Sequence, residues 1–380
     1  MKNYKERRLN PLEVLKSKSC FLLGPRQTGK SALIHHLLAP YKVYNLLESK
    51  TYIGLQKNPA LIREELGPQD KIIVIDEIQR IPELLNEVHL MIEEHDIKFL
   101  LTGSSARKLK KKGVNLLAGR ARTRNLHPFT AAELGDDFEL LKALQIGLIP
   151  SIYFSDEPGE DLEGYVNTYL QLEISAEAVV RNLGVFSRFL EIAALSNGQM
   201  INYTEIASDT EVSATTIREY FQILEDTLIG HKLLPFKKTI KRKPIVTPKF
   251  YFFDTGVVNQ LVGRTSVSEK TKEFGDLFET YIFHELLSFC SYNKSKKLTL
   301  HYWRSTSQHE VDFILNEKIA IEVKSKVNVT KRDLKGLIAL REENICRDFF
   351  LVCRVPKIKT IDNIKIIPYQ SFLELLPSLI

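Results

Sequence analysis

Two groups of residues have types and spacing suited to phosphate chemistry. The first is Gly24-Pro25-Arg26-Gln27-Thr28-Gly29-Lys30-Ser31, which fits G-x-x-x-x-G-K-[ST] at every position. Glycines let backbone N–H groups approach a polyphosphate, and a following helix N-terminus adds partial positive charge. In that setting Lys30 reaches the β- and γ-phosphates of ATP, and Ser31 offers its hydroxyl to Mg2+. Downstream, DKIIVIDEIQRIP (70–82) ends an apolar run in Asp76-Glu77. Two carboxylates there are costly unless they face water or a metal. Asp76 is expected to hold Mg2+ and its water, and Glu77 to act as general base on the attacking water.

The second group lies in HEVDFILNEKIAIEVKSK (309–326), with Glu279 on a helix upstream. Asn316-Glu317 is expected to close a hairpin that brings residues 312 and 322 near each other. Alternation then puts Glu322 and Lys324 on one face, so Asp312, Glu322 and Lys324 converge. Carboxylates that close repel unless a cation neutralises them, and Mg2+ prefers such oxygens. Asp312, Glu322 and Glu279 are the expected metal ligands. Lys324 is expected to orient or deprotonate a water, or to stabilise a pentavalent phosphate. The bland alternative is a Glu322–Lys324 ion pair on a buried strand, which stability alone explains poorly.

Further candidates flank the first group. In KFLLTGSSARKL (98–109), Thr102, Ser104 or Ser105 could contact the γ-phosphate, or simply end a strand and cap the next helix. In LLAGRARTRNLHPF (116–129), Arg120 is the candidate for a neighbour's γ-phosphate, a role that carries a homo-oligomer with it. The alternative for Arg120 is a basic surface turn.

These residues need particular elements to position them. SCFLLGPRQTGKSALIHHLL (19–38) reads as strand, Gly-rich turn and amphipathic helix. Residues 203–208 and 215–226 read as helix, turn, helix, with Ile217, Tyr220, Phe221 and Leu224 on one face and LIGHKLLPF as a wing. Arg218 and Gln222 are the only outward groups there suited to base edges, beside Glu219, Glu225 and Asp226, so sequence-specific reading is disfavoured. EFGDLFETYIFHELLSFC (273–290) reads as a helix with Phe278, Ile282, Leu286 and Phe289 as its buried stripe, followed by strands over 298–305, 309–315 and 318–325.

The chain has 380 residues, 53 basic and 47 acidic, for a formal charge of +6. That bias suits nucleic acid without diagnosing it. ARKLKKKG (106–113) and KKTIKRKPIVTPK (237–249) hold no acid and could meet a DNA backbone. The four cysteines, Cys20, Cys290, Cys346 and Cys353, are far apart, which predicts reduced thiols in a cytoplasmic protein. The charged MKNYKERRLN start is no signal peptide, and no apolar run approaches ~18 residues, so no membrane partner is expected.

GPRQTGKS, IIVIDEIQRIPELL, FLLTGSS and LAGR…LHPFTAAEL together resemble the prokaryotic AAA-type ATPases found fused to a C-terminal domain of unknown function. The sensor role of Thr102 or Ser104 and an αβα nucleotide-binding core are what that resemblance implies. Many relatives carry an Asp near Leu47 or Glu48, where this chain has none. Glu279…Asp312-x9-Glu322-Val-Lys324 resembles the PD-(D/E)xK nuclease superfamily. The expected fold class is α/β: an αβα P-loop AAA-type core (1–155), a helical winged-helix-like middle (156–240) and a C-terminal α/β restriction-endonuclease-like domain (241–380). The expected function is ATP hydrolysis whose nucleotide state controls a Mg2+-dependent, DNA-directed module. The rival is an ATP-driven switch whose third domain only binds nucleic acid or protein.

Overall fold

The computed structural model describes residues 4–105, 107, 117–174 and 182–380. Its N-terminal sheet holds β1 (Ser19–Leu23), β2 (Lys42–Asn45), β3 (Ile72–Asp76), β4 (Lys98–Gly103) and β5 (Ala121–Asn125) in the order β2-β3-β4-β1-β5. Every pairing is parallel. Parallel strands covered on both faces are apolar throughout, and β1 is buried at all positions. Cys20, Leu22, Val74 and Leu100 pack on one side with Leu33 of helix α1 (Lys30–Leu37). Phe21, Ile73, Ile75 and Leu101 pack on the other with Leu85 and Val88 of α2 (Leu84–His95). Because β4 lies between β1 and β3, its carboxyl end separates the Gly-rich turn from Asp76.

The middle begins with α3 (Leu183–Leu195), whose N-cap Asn182 accepts hydrogen bonds from the backbone N–H groups of Gly184 and Val185. Then come α4 (Tyr203–Thr210) and α5 (Ala214–Asp226), with Ser213 capping α5. Ile217, Tyr220, Phe221 and Leu224 of α5 are buried, as their spacing predicts. LIGHKLLPF supplies a single strand, β6 (Gly230–Leu233). Its antiparallel partner is β7 (Lys249–Phe252), beyond the basic run. A division at residue 240 therefore separates two paired strands. Helix α6 (Thr255–Leu261) also packs on α3.

Helix α7 (Lys272–Tyr292) departs from the one-stripe expectation. Thr280, Tyr281, Phe283, His284, Glu285 and Ser288 are buried along with Phe278, Ile282 and Leu286. It lies between the N-terminal part, the middle and a second sheet, so almost no side of it faces water. That sheet holds β8 (Leu300–Arg304), β9 (Glu310–Leu315), β10 (Ile319–Val323), β11 (Asp348–Cys353), β12 (Lys359–Ile361) and β13 (Ile364–Pro368) in the order β12-β13-β11-β10-β9-β8. The β10–β11 and β11–β13 pairings are parallel and the others antiparallel. Asn316 and Glu317 take positive φ angles of 52° and 56° and turn β9 into β10 where expected. Helix α8 (Lys335–Arg341) covers Ile314, Ala320 and Leu351. Helix α9 (Tyr369–Leu375) and α7 share a cluster with Ile321, Val323 and Phe350. At Gly336 an added Cβ would lie 1.8 Å from the Glu310 carbonyl oxygen, so only glycine lets α8 approach β9 this closely.

The free edge of β8 is covered by residues 234–245. Phe236 N–H donates to the Tyr302 carbonyl at 2.6 Å, and Ile245 N–H to the Arg304 carbonyl at 2.8 Å. Pro235 and Pro244 stand at the two bridges. Proline suits such an outer segment because it offers no outward N–H for further pairing. Among the described residues no helix is long and apolar enough to cross a membrane. All four cysteines are free thiols.

Candidate functional sites: a nucleotide pocket and a carboxylate–lysine cluster

The Gly-rich turn joins β1 to the N-terminus of α1. Gly29 takes φ +94°, a left-handed value that side chains rarely adopt. Lys30 folds back, and its Nζ donates to the Gly24 carbonyl at 2.7 Å and the Pro25 carbonyl at 2.9 Å. Burial lowers its pKa to about 8, against the pull of Glu77 and Asp76. Ser31 Oγ donates to Asp76 Oδ2 at 3.2 Å. Thr102 Oγ1 donates to Asp76 Oδ1 and accepts the Glu77 N–H at 3.1 Å. Thr102 thus holds the acidic pair from β4, and Ser104 is buried beside it on the same strand end. Gln79 Nε2 donates to Glu77 Oε2.

A cavity of about 860 Å3 opens over this turn, lined by Lys30, Ser31, Glu77, Phe129, Pro150 and Phe154 among others. Its far wall comes from beyond the sheet. Ser151 Oγ donates to Gln27 Oε1 at 2.7 Å, and Tyr165 hydroxyl to the Arg26 carbonyl at 3.3 Å. Arg7 braces the turn from beneath. Its guanidinium donates to the carbonyls of Thr28 and His127, both at 2.6 Å, and to Glu133 Oε1 at 3.1 Å. Nothing in the charged N-terminal stretch marks Arg7 out, because its partners are distant in sequence.

The residues present suit Mg2+ here. Ser31 and Asp76 oxygens meet at hydrogen-bond distance, and Mg2+ is commonly held by one or two protein oxygens plus substrate phosphates. Arg120 does not reach this pocket. It precedes β5 at the amino end of the parallel strands, away from the Gly-rich turn at their carboxyl end, and pairs with Glu93, so contact with its own chain's nucleotide is excluded. ARKLKKKG lies outside the described residues except Arg107, which pairs with Asp226 of α5. On α5, Arg218 stacks over Tyr203 and Gln222 donates to Asp226.

In the C-terminal part, Asp312, Glu322 and Lys324 converge as the hairpin register requires. Lys324 Nζ lies 2.6 Å from Glu322 Oε1 and 3.9 Å from Asp312 Oδ2. Asp312 Oδ2 also accepts the Val323 N–H at 2.8 Å. Burial and Asp312 push the Glu322 carboxyl up to about 8, against the pull of Lys324. Burial opposes the Lys324 charge, but Asp312 and Glu322 outweigh it and hold the ammonium above its usual range.

Glu279 has partners that the spacing did not anticipate. Its Oε1 accepts the Tyr251 hydroxyl at 2.6 Å and the Lys249 ammonium at 3.2 Å. Lys249 also reaches Glu310 Oε1 at 2.7 Å, and Arg304 pairs with Glu310 Oε2 at 3.2 Å. Among the described residues no three His, Cys, Asp or Glu side chains form a group that could hold a metal ion. Glu279, Asp312 and Glu322 therefore do not fit a metal as they stand, because ammonium groups take up their charge. Lys249 belongs to a basic run that reads as a surface segment, and only the β6–β7 pairing carries it inward.

A third meeting point joins all three parts. His127, His231 and His284 approach with ring centroids 6.2 and 6.4 Å from His127. Burial lowers His231 and His284 to about 4, with His284 adding to the effect on His231. Burial, the two other histidines, Arg7 and Lys294 hold His127 well below the usual range.

The chain compares with known proteins segment by segment. Residues 16–135 match the AAA domain family, residues 137–268 a domain of unknown function (DUF8612), and residues 274–372 another domain of unknown function (DUF4143). The N-terminal part is thus an AAA-type P-loop domain of the nucleotide-binding kind. The uncharacterised proteins Rv2008c of Mycobacterium tuberculosis and Mb2031c of Mycobacterium bovis are each 28% identical over 301 residues, 77% of this chain. The match spans 66% of their own length. An uncharacterised protein of Haemophilus influenzae is 24% identical over 296 residues, covering 70% of this chain and 73% of that protein. Among solved structures, the Aeropyrum pernix ORC1 protein in complex with DNA overlays at a TM-score of 0.23 and 14% identity, covering 66% of this chain and 89% of that one. The Pyrococcus horikoshii STAND protein PH0952 overlays at 0.24 and 15%, covering 75% and 48%.

Proposed function

We propose that the chain is an ATP-hydrolysing switch whose nucleotide state is passed to a DNA-directed, PD-(D/E)xK-like C-terminal module. The observation that carries the first half is the bonding of Lys30. Its ammonium rests on two neutral carbonyls, which a polyphosphate can replace without breaking an ion pair. Mg2+, when bound with ATP, neutralises charge between Ser31, Asp76 and the phosphates. Glu77, oriented by Gln79, takes a proton from water as the water oxygen bonds the γ-phosphorus and the β–γ bridging bond breaks. Thr102 keeps Asp76 and the Glu77 backbone in register. Pro150, Ser151 and Phe154 stand over the turn and lie in the segment 137–268 that matches the second family, so filling the cavity bears on that segment directly.

Asp312, Glu322 and Lys324 are the residues that would act in the module, with Lys324 placing a phosphate or a water between the two carboxylates. Backbone contacts would come from the exposed basic run, where Lys237 and Lys241 face solvent. A second reading is favoured by the lysine–carboxylate pairs: a module that binds nucleic acid or protein without cutting. ATP turnover by wild type and Lys30→Ala tests the switch, and equal turnover rejects it. A mixed DNA and RNA panel with Mg2+ or Mn2+, with and without ATP, separates the two module readings. Cleavage that is lost in Asp312→Ala supports a nuclease; binding without cleavage supports the second reading.

A further inference from the structure

The wall of the nucleotide pocket is held by side chains from the far end of the sequence. Residues 127–131 follow β5 and carry Phe129, which lines the pocket. Three residues of α7, all within the segment 274–372 that matches the third family, fix that backbone. His284 Nε2 lies 2.9 Å from the Phe129 carbonyl oxygen, and Glu285 Oε1 accepts the Ala131 N–H at 2.7 Å. The Tyr292 hydroxyl accepts the His127 N–H at 3.2 Å. Arg7 Nη2 lies 3.5 Å from the same hydroxyl while it donates to the His127 carbonyl. Arg7 Nη1 donates to the Thr28 carbonyl in the Gly-rich turn, and the guanidinium stands 4.9 Å from the Phe129 ring centroid. Arg7 is buried, and the Tyr292 ring packs against the cluster that holds Cys20, Leu22 and Leu126. A guanidinium offers its donors in a rigid planar fork, so displacing one partner displaces the others. The Gly-rich turn and the end of α7 therefore meet at one stiff group. The same helix bears Glu279, about 20 Å from Tyr292 along its axis, so it runs from the pocket to the carboxylate–lysine cluster.

We propose that Arg7 and Tyr292 are positioning residues of the nucleotide pocket, and that through them the end of α7 responds to bound nucleotide. The proposal rests on the reading of Gly24–Ser31 as an ATP site, and it names the contact by which that site acts on the C-terminal segment. Neither side chain touches the reacting atoms. A polyphosphate that draws the Lys30 ammonium off the Gly24 and Pro25 carbonyls resets the turn to which Thr28 belongs. The Thr28 carbonyl carries Arg7 with it, and Arg7 carries the His127 backbone and the Tyr292 hydroxyl. The coupling is mutual: whatever fixes the end of α7 also changes the affinity for nucleotide by the same factor.

The test is hydrogen exchange of the full chain, read by mass spectrometry with and without Mg2+ and a non-hydrolysable ATP analogue, so that hydrolysis and cleavage do not bear on it. In wild type the analogue should slow exchange in residues 24–31 and also in residues 289–293. Tyr292→Phe removes only the hydroxyl; it should keep the first effect and lose the second. Arg7→Lys, which breaks the fork, should do the same. Tyr292→Phe should also weaken analogue binding by about two- to tenfold, the worth of one hydrogen bond. No protection of 24–31 in wild type rejects the ATP site, and this proposal with it. Protection of 24–31 without protection of 289–293 overturns this proposal alone, as does Tyr292→Phe with both effects at the wild-type level. If Tyr292→Phe lacks a cooperative unfolding transition, the two segments of wild type decide.

Discussion

The two lysine-bearing sites use the same side chain in opposite ways. Lys30 is buried against neutral carbonyls, with Asp76 and Glu77 nearby but not bonded to it. Lys249, buried, and Lys324, partly exposed, are bonded to carboxylates. Burial wins at Lys30 and lowers its proton affinity. Carboxylates win at Lys249 and Lys324 and raise theirs. The first lysine is thus electrically available to an incoming anion. The other two are already spoken for, and a new ligand must displace a partner. Sequence spacing treats both places as candidate sites; the partners decide which one is open.

The comparison can be broken first at Glu77. Glu77→Gln should keep ATP binding but lower turnover by about 10²–10⁴-fold, the usual worth of a positioned general base. Unchanged turnover in a filter or coupled assay would remove Glu77 from the mechanism. The next largest effect separates the lysines by stability. Lys249→Met strands buried carboxylates and should lose about 3–5 kcal/mol in urea unfolding. Lys30→Met strands only carbonyls and relieves a buried charge, so about 1–3 kcal/mol is the upper end expected. Equal losses would mean that the two environments do not differ as described.

The smallest effect concerns the histidine junction, where His284 Nε2 lies 2.9 Å from the Phe129 carbonyl oxygen. His231 and His284 fall from 6.5 to about 4 on folding, so between those values the folded chain binds fewer protons than the unfolded one. Stability should therefore fall as pH drops from 6.5 towards 4, and the loss ends below the folded value. Raised carboxyls such as Glu285, pushed up to about 7 by burial, work in the opposite sense over part of that range. The difference between wild type and His231→Leu isolates the histidine contribution. Parallel pH–stability curves for the two would reject it.

Local chemistry explains what was legible. The Gly-rich turn, its strand and its helix are contiguous, so the order of residues 19–38 carries nearly the whole phosphate cradle. The Asp312–Glu322–Lys324 convergence is likewise short-range, fixed by a turn whose two residues take positive φ, which Asn316 tolerates. What stayed hidden was long-range. Arg7 acts on Thr28 and His127 through backbone carbonyls, which any residue supplies. Lys249 became an interior residue only through the pairing of β6 with β7. Helix α7 looked one-sided because periodicity reports a single buried face, whereas three parts of the chain press on it. Where Arg120 stands is long-range as well, since a basic cluster next to a strand says nothing about which end of the sheet it occupies.

The segment over β8 also bears on the order in which the chain is made. Residues 234–245 leave the ribosome before Leu300–Arg304 does, so the cover is present when the outer strand of the second sheet arrives. An edge of this kind is most hazardous while a nascent chain is crowded among copies of itself. Here the first neighbour that edge meets is its own tether, and a strand from another polypeptide finds the position filled.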